Sequence, residues 1–120
     1  MINKIRGEVE LELDGKKYRL VPSMKNILAL EEQAGSLVGM FNRLVMSDFR
    51  FSDLLTVVDV FLMGEDKPTR AQLEDIVFED GLTRFVEPVT RLVGNCLGGA
   101  KNIEKGNDDE GKPEAPISTS

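Results

Sequence analysis

The sequence contains no histidine and no tryptophan, and it has a single cysteine, Cys96, among its 120 residues. Histidine is the commonest general base and the commonest transition-metal ligand, so its absence removes the usual parts of a catalytic or metal site. A lone cysteine cannot form an internal disulfide, and Cys96 lies in an apolar stretch that favours a small buried side chain. We therefore expect a protein that is not an enzyme and that binds no metal or cofactor.

Positive charge and long apolar runs are also scarce. The chain has 15 Lys and Arg against 21 Asp and Glu, which gives a net charge of −6, whereas nucleic-acid binding is first indicated by a basic footprint. No apolar run approaches the roughly 20 residues that cross a bilayer, and the N-terminus lacks the apolar stretch of a signal peptide. We expect a cytoplasmic protein whose partners are neither nucleic acids nor membranes.

A β-hairpin is predicted over residues 8–21. Val9, Leu11 and Leu13 alternate with glutamates, and Asp14-Gly15 follows, a pair typical of a type I′ turn with φ > 0 at both central residues. A two-residue loop fixes which residues face each other across the strands. The predicted pairs are Leu11 with Tyr18, Val9 with Leu20, Glu12 with Lys17, and Glu10 with Arg19.

Four or five helices are predicted after the hairpin. The first spans residues 24–34 between a Ser23 cap and a Gly35 stop, and the second follows a Ser36 cap. The third runs from a Ser52 cap to Met63. The fourth begins with the capping box formed by Thr69 and Gln72 and ends near Gly81.

The fifth helix, over about residues 82–97, contains Pro88, which removes a helical hydrogen bond. Either the helix kinks there, or Pro88 lies in its first turn and the helix starts near Glu87. The predicted fold is α+β and mostly α: an N-terminal β-hairpin packed on a four- to five-helix domain over residues 1–99. Residues 100–120 are rich in Gly, Pro, Ser and charged residues, and we expect them to form a disordered tail.

The third predicted helix has the most apolar surface. Eight of its ten residues from Leu54 to Met63 are apolar, and they cover roughly 220° of the helix, beyond the ~100° stripe of a surface helix. One interpretation is a central helix enclosed by its neighbours. The other is that the flank carrying Leu55, Val60 and Leu62 binds a partner or another copy, and both interpretations can hold together.

The order of these signals resembles the small tail proteins of gene transfer agents and related siphophage-like tail clusters. The resemblance covers about residues 6–99, and it rests on short motifs in a fixed order. After the hairpin with its Asp-Gly turn come Leu30-Glu31-Glu32-Gln33-Ala34-Gly35, Ser36-Leu37, Phe51-Ser52-Asp53-Leu54-Leu55, Gly64, Leu73-Glu74-Asp75-Ile76-Val77, Glu79-Asp80-Gly81-Leu82 and Leu97-Gly98-Gly99.

Members of this family are described as tail tube proteins or tail-assembly chaperones. The resemblance implies a tail assembly factor without catalytic residues, made in the cytoplasm of a bacterial host and bound to other tail proteins or to further copies of itself. The helical prediction favours a chaperone that coats the tape measure protein, because tube rings are built from extended sheets. A structural tail tube subunit is the alternative, and a small helical regulator or adaptor is the second alternative.

Overall fold

The computed structural model describes residues 7–98, so the predicted tail over residues 100–120 lies outside the described residues, as do residues 1–6. A hairpin, five helices and one further short strand make up the described chain. In order they are β1 (Val9–Leu13), β2 (Lys16–Leu20), α1 (Met24–Ala34), α2 (Leu37–Val45), α3 (Phe51–Phe61), β3 (Leu62–Met63), α4 (Arg70–Asp80) and α5 (Val86–Gly98), with a 3₁₀ turn over Leu82–Phe85 before α5. The predicted α+β, mostly α fold is confirmed.

The hairpin has the predicted turn and register. Asp14 and Gly15 both have positive φ, at 53° and 78°, as a type I′ turn requires. All four predicted residue pairs face each other across β1 and β2. The ion pairs, however, form on the diagonal: Lys17 Nζ lies 3.7 Å from Glu10 Oε2, and Arg19 lies 3.5 Å from Glu8. Diagonal neighbours are within reach of these long side chains on a pleated strand pair.

The end of the third helix was predicted wrongly. The α-helix stops at Phe61, and Leu62 adopts extended dihedrals of −71° and 131°. Leu62 pairs with Leu20 of β2, which makes β3 the third strand of an antiparallel sheet in the order β1-β2-β3. Backbone groups that would form hydrogen bonds inside a longer helix instead form them with β2.

The start of the third helix was also predicted wrongly. The N-cap is Arg50 rather than Ser52, and the backbone N–H of Arg50 donates to Asp53 Oδ2 at 3.1 Å. Ser52 lies inside the first turn, where its carbonyl accepts a hydrogen bond from the Thr56 hydroxyl at 2.9 Å. The Asp53 carboxylate, at the third position of the helix, thus accepts the backbone N–H of Arg50 at this helix end.

The other predicted helix ends are confirmed. Ser23 and Ser36 accept hydrogen bonds from the backbone N–H groups of the third residue of their helices, at 3.1 and 3.0 Å. Thr69 and Gln72 form the reciprocal capping box, with bonds of 3.2 and 2.9 Å. Pro88 is the third residue of α5, where its missing N–H has no helical partner to lose. The interpretation with a start near Glu87 is therefore correct.

Helix α3 lies at the centre of the core. It contacts α1, α4, α5 and β2, and these neighbours cover most of its apolar arc. Four of its side chains are almost completely buried: Leu54, Val57, Val58 and Phe61. Around α3, the inward face of the hairpin packs on α4 and α5, and α2 packs on α5. Within residues 7–98, none of the helices is long and apolar enough to cross a membrane.

Candidate protein-interaction surface

The predicted partner-binding residues on the third helix are mostly inside the domain. Leu62 has 0% of its surface exposed and belongs to β3 rather than to the helix. Leu55 and Val60 are half-buried and pack against the core. A binding role for this flank remains a prediction, and Leu55 and Val60 are the two of the three that have surface to contribute.

The connection between α2 and α3 carries four large apolar side chains, three of them exposed, which we call the apolar corner: Val45, Met46, Phe49 and Phe51. Met46 is 75% exposed, Val45 56% and Phe51 40%. Phe49 is half-buried against the core, and its ring meets that of Phe51 edge-to-face with centroids 5.7 Å apart. Phe49 thus anchors the corner while the other three side chains face solvent.

Hydrogen bonds and an ion pair hold the apolar corner in place. The backbone N–H of Asp48 donates to the Arg43 carbonyl at 2.7 Å, and that of Ser47 donates to the Leu44 carbonyl at 3.2 Å. The Arg43 guanidinium lies 3.6 Å from a carboxylate oxygen of Asp53, which joins the end of α2 to the start of α3. The apolar side chains are therefore displayed on a turn whose backbone groups are largely bonded.

An exposed group of large apolar side chains on a well-held turn is typical of a protein-binding surface. Methionine adds to this because its flexible, polarisable side chain adapts to different partners. The sequence analysis did not predict this surface, because helical periodicity does not indicate which apolar residues at a helix end are exposed. The available signal was the presence of four large apolar residues within residues 45–51, around a predicted connection.

A cleft of about 330 Å³ lies between the hairpin turn and α4. Its walls are partly apolar, with Tyr18 donating a hydrogen bond from its hydroxyl to the Asp66 carbonyl at 3.0 Å, and its rim carries Asp14, Lys16, Asp66 and Asp75. Among residues 7–98, no three His, Cys, Asp or Glu side chains are grouped so that they could hold a metal ion. The cleft therefore has no arrangement that indicates metal chemistry.

The single cysteine is also unsuited to nucleophilic chemistry. Cys96 is half-buried on α5, and burial raises the pKa of its thiol to about 12. The thiolate is the reactive form, so this thiol stays protonated and inert at neutral pH.

One known protein family matches most of this chain. A family described as phage tail tube protein, GTA-gp10, matches residues 6–99, which is most of the 120-residue chain. None of the curated proteins and none of the solved structures searched matches the chain. The predicted resemblance to gene transfer agent and phage tail proteins is confirmed, and the description agrees better with the tube alternative than with a chaperone. Because the matched region includes every helix and strand described above, this chain belongs to the GTA-gp10 family of phage tail tube proteins.

Proposed function

We propose that this protein is a structural subunit of a phage or gene transfer agent tail tube, and that it acts by binding other tail proteins and copies of itself. The observation that carries the proposal is the family match over residues 6–99, whose description names the tail tube. The exposed apolar corner supports it, because subunits of a tube need surfaces that bury apolar area between molecules.

A second candidate function is a tail-assembly chaperone that binds the tape measure protein. The specific observation in its favour is the small sheet, whose strands have five, five and two residues. A tube wall made of one continuous sheet needs long strands that pair from subunit to subunit. A helical domain with a methionine-bearing apolar corner is instead suited to hold an amphipathic segment, as in helix-in-groove binding.

The composition of purified particles distinguishes the two functions. A tube subunit should be present in many copies for each copy of the tape measure protein, measured by quantitative mass spectrometry of particles. A chaperone should be absent from particles and should co-purify with the tape measure protein from the producing cells. Absence of this protein from finished particles that have intact tails would overturn the tube proposal.

The apolar corner can be tested with two matched variants. Met46 and Phe78 are both 75% exposed, and both lie at the C-terminal end of a helix, so an added aspartate meets the same unfavourable helix dipole at each. We expect Met46→Asp to reduce particle yield several-fold and Phe78→Asp to leave it unchanged. Circular dichroism should show that both variants stay folded. Equal yields from the two variants would exclude the corner as a functional surface.

A further inference from the structure

The cleft between the hairpin turn and α4 has apolar walls that are held in place from both sides. Four buried or half-buried side chains line it: Leu13, Tyr18, Pro68 and Ile76. The Tyr18 hydroxyl donates to the Asp66 carbonyl at 3.0 Å, and a Cβ atom at Gly64 would be only 3.1 Å from Tyr18 Cδ1. The backbone N–H of Asp14 donates to Asp80 Oδ2 on α4 at 3.3 Å. These contacts join the hairpin to α4 and to the loop before it.

The rim of this cleft is charged and mostly acidic. Its exposed charged side chains are the carboxylates of Asp14, Asp66 and Asp75 and the ammonium of Lys16. Among residues 7–98, none of these three carboxylates forms an ion pair. They come from the hairpin turn, from the loop before α4 and from α4 itself. The cleft therefore combines apolar walls with a rim of net negative charge.

This combination is complementary to a long basic side chain. Lysine and arginine have an apolar stem and a charged head, and they bury the stem along apolar surface while the head stays at the rim. A volume of about 330 Å³ is at the small end of the range for ligand sites, so it suits one side chain better than a helix. Carboxylates on three different elements favour arginine, because its several N–H donors reach more than one acceptor, whereas lysine acts as a point charge.

A different protein is better suited than a second copy of this chain to supply that arginine. The chain has a net charge of −6, so two copies repel one another, whereas a basic partner is attracted. All arginines within residues 7–98 except Arg50 already form ion pairs with carboxylates of the same chain. A second copy would have to break one of these pairs to place any of those arginines in the cleft.

We propose that the cleft between the hairpin turn and α4 receives an arginine side chain from a basic segment of another tail protein. The stem of the arginine packs on the apolar walls, and its guanidinium lies among Asp14, Asp66 and Asp75. This site uses no residue of the apolar corner. It deepens the proposed function, on which it rests only for the expectation that the partner is a tail protein.

Titration of the full, isotope-labelled chain with short peptides, followed by nuclear magnetic resonance, tests the cleft. The probe is acetyl-Gly-Arg-Gly-amide, and two control peptides carry lysine or citrulline, the uncharged analogue of arginine, in its place. We expect the arginine peptide to shift the amide resonances of Tyr18, Asp75 and Ile76, and the citrulline peptide to shift them several-fold less at the same concentration. Equal shifts from these two peptides overturn the proposal. Equally tight binding of the lysine peptide overturns the assignment to arginine.

Two matched variants distinguish a defined site from general attraction to an acidic protein. Asp75→Asn removes one carboxylate from the rim, and Asp48→Asn makes the same change at an exposed position outside the cleft, between α2 and α3. We expect Asp75→Asn to weaken binding of the arginine peptide several-fold and Asp48→Asn to leave it nearly unchanged. Equal weakening by both variants overturns the proposal. Because the titration uses purified protein and the tube proposal is tested on particles, either can fail while the other holds.

Discussion

Gly94 on α5 lies directly against the ring of Phe41 on α2: a Cβ atom at Gly94 would be 3.3 Å from Phe41 Cε1. The missing side chain lets the two helices approach closely at this point. We expect Gly94→Leu to lower the free energy of unfolding by about 1–3 kcal/mol, because the added methyl groups overpack the interface. Urea denaturation measures the change.

Gly39 on α2 is the matched control for Gly94. It is also a helical glycine, but a Cβ there would meet its nearest neighbours at 3.6 Å, an ordinary contact distance. Gly39→Ala should therefore raise the free energy of unfolding by about 0.5–1 kcal/mol, since alanine loses less entropy in a helix. If Gly94→Leu kept the denaturation midpoint of the unmodified protein, the contact between Phe41 and Gly94 would be wrong.

The hairpin turn depends on a glycine for a different reason. Gly15 has a φ of +78°, and a Cβ atom at this position would have no neighbour within 4 Å, so backbone strain alone limits its replacement. Gly15→Val should cost about 1–3 kcal/mol, because a β-branched residue resists positive φ. Gly15→Asn should cost less, since asparagine tolerates this region. Equal melting temperatures for the two variants would count against the type I′ turn.

The parts of this fold that were predictable depend on neighbours in sequence. Asp14-Gly15 sets the hairpin register through two turn residues, and Thr69 with Gln72 forms a capping box over four residues. Strand β3 depends instead on Leu62 meeting Leu20, which lies far away in the sequence, and the apolar pattern there matched a helix equally well. Tertiary pairing therefore overrode a local helical signal.

The candidate surface was harder to predict for the same physical reason. Helical periodicity shows that α3 is apolar on most sides, but it does not show that α1, α4, α5 and β2 cover it. Leu62 was consequently placed on a binding flank although it has no exposed surface. Met46, with 75% of its surface exposed, was not identified because exposure depends on where neighbouring helices end.

The buried thiol predicts a pH effect in the alkaline range. Burial raises the pKa of Cys96 from 9.0 to about 12, so at intermediate pH the unfolded chain releases this proton while the folded chain keeps it. The folded state therefore loses stability as pH rises from 9.0 to about 12. The measurement compares the unmodified protein with Cys96→Ala, which should lose stability less steeply. Parallel stability curves would show that the thiol is not desolvated.

Leu62 and Met63 provide a test of whether β3 exists. They are adjacent, but Leu62 is 0% exposed and Met63 is 44% exposed, as expected for neighbours on opposite faces of a strand. Leu62→Asp would bury an unpaired charge, and we expect it to lower the free energy of unfolding by about 3–5 kcal/mol. Met63→Asp would instead stand opposite Arg19 on the exposed face, where an opposite-charge pair contributes at most about 1 kcal/mol.

The burial of Leu62 also limits how the flank of Leu55, Val60 and Leu62 can be tested for partner binding. A loss of binding in Leu62→Asp reports unfolding, because the side chain has no surface to offer a partner. Single changes at the half-buried Leu55 and Val60, made to serine and checked by circular dichroism, are therefore the informative variants.

Thermal melts that show Leu62→Asp and Met63→Asp equally stable would mean that the chain does not alternate faces here, and the helical interpretation through Met63 would be restored.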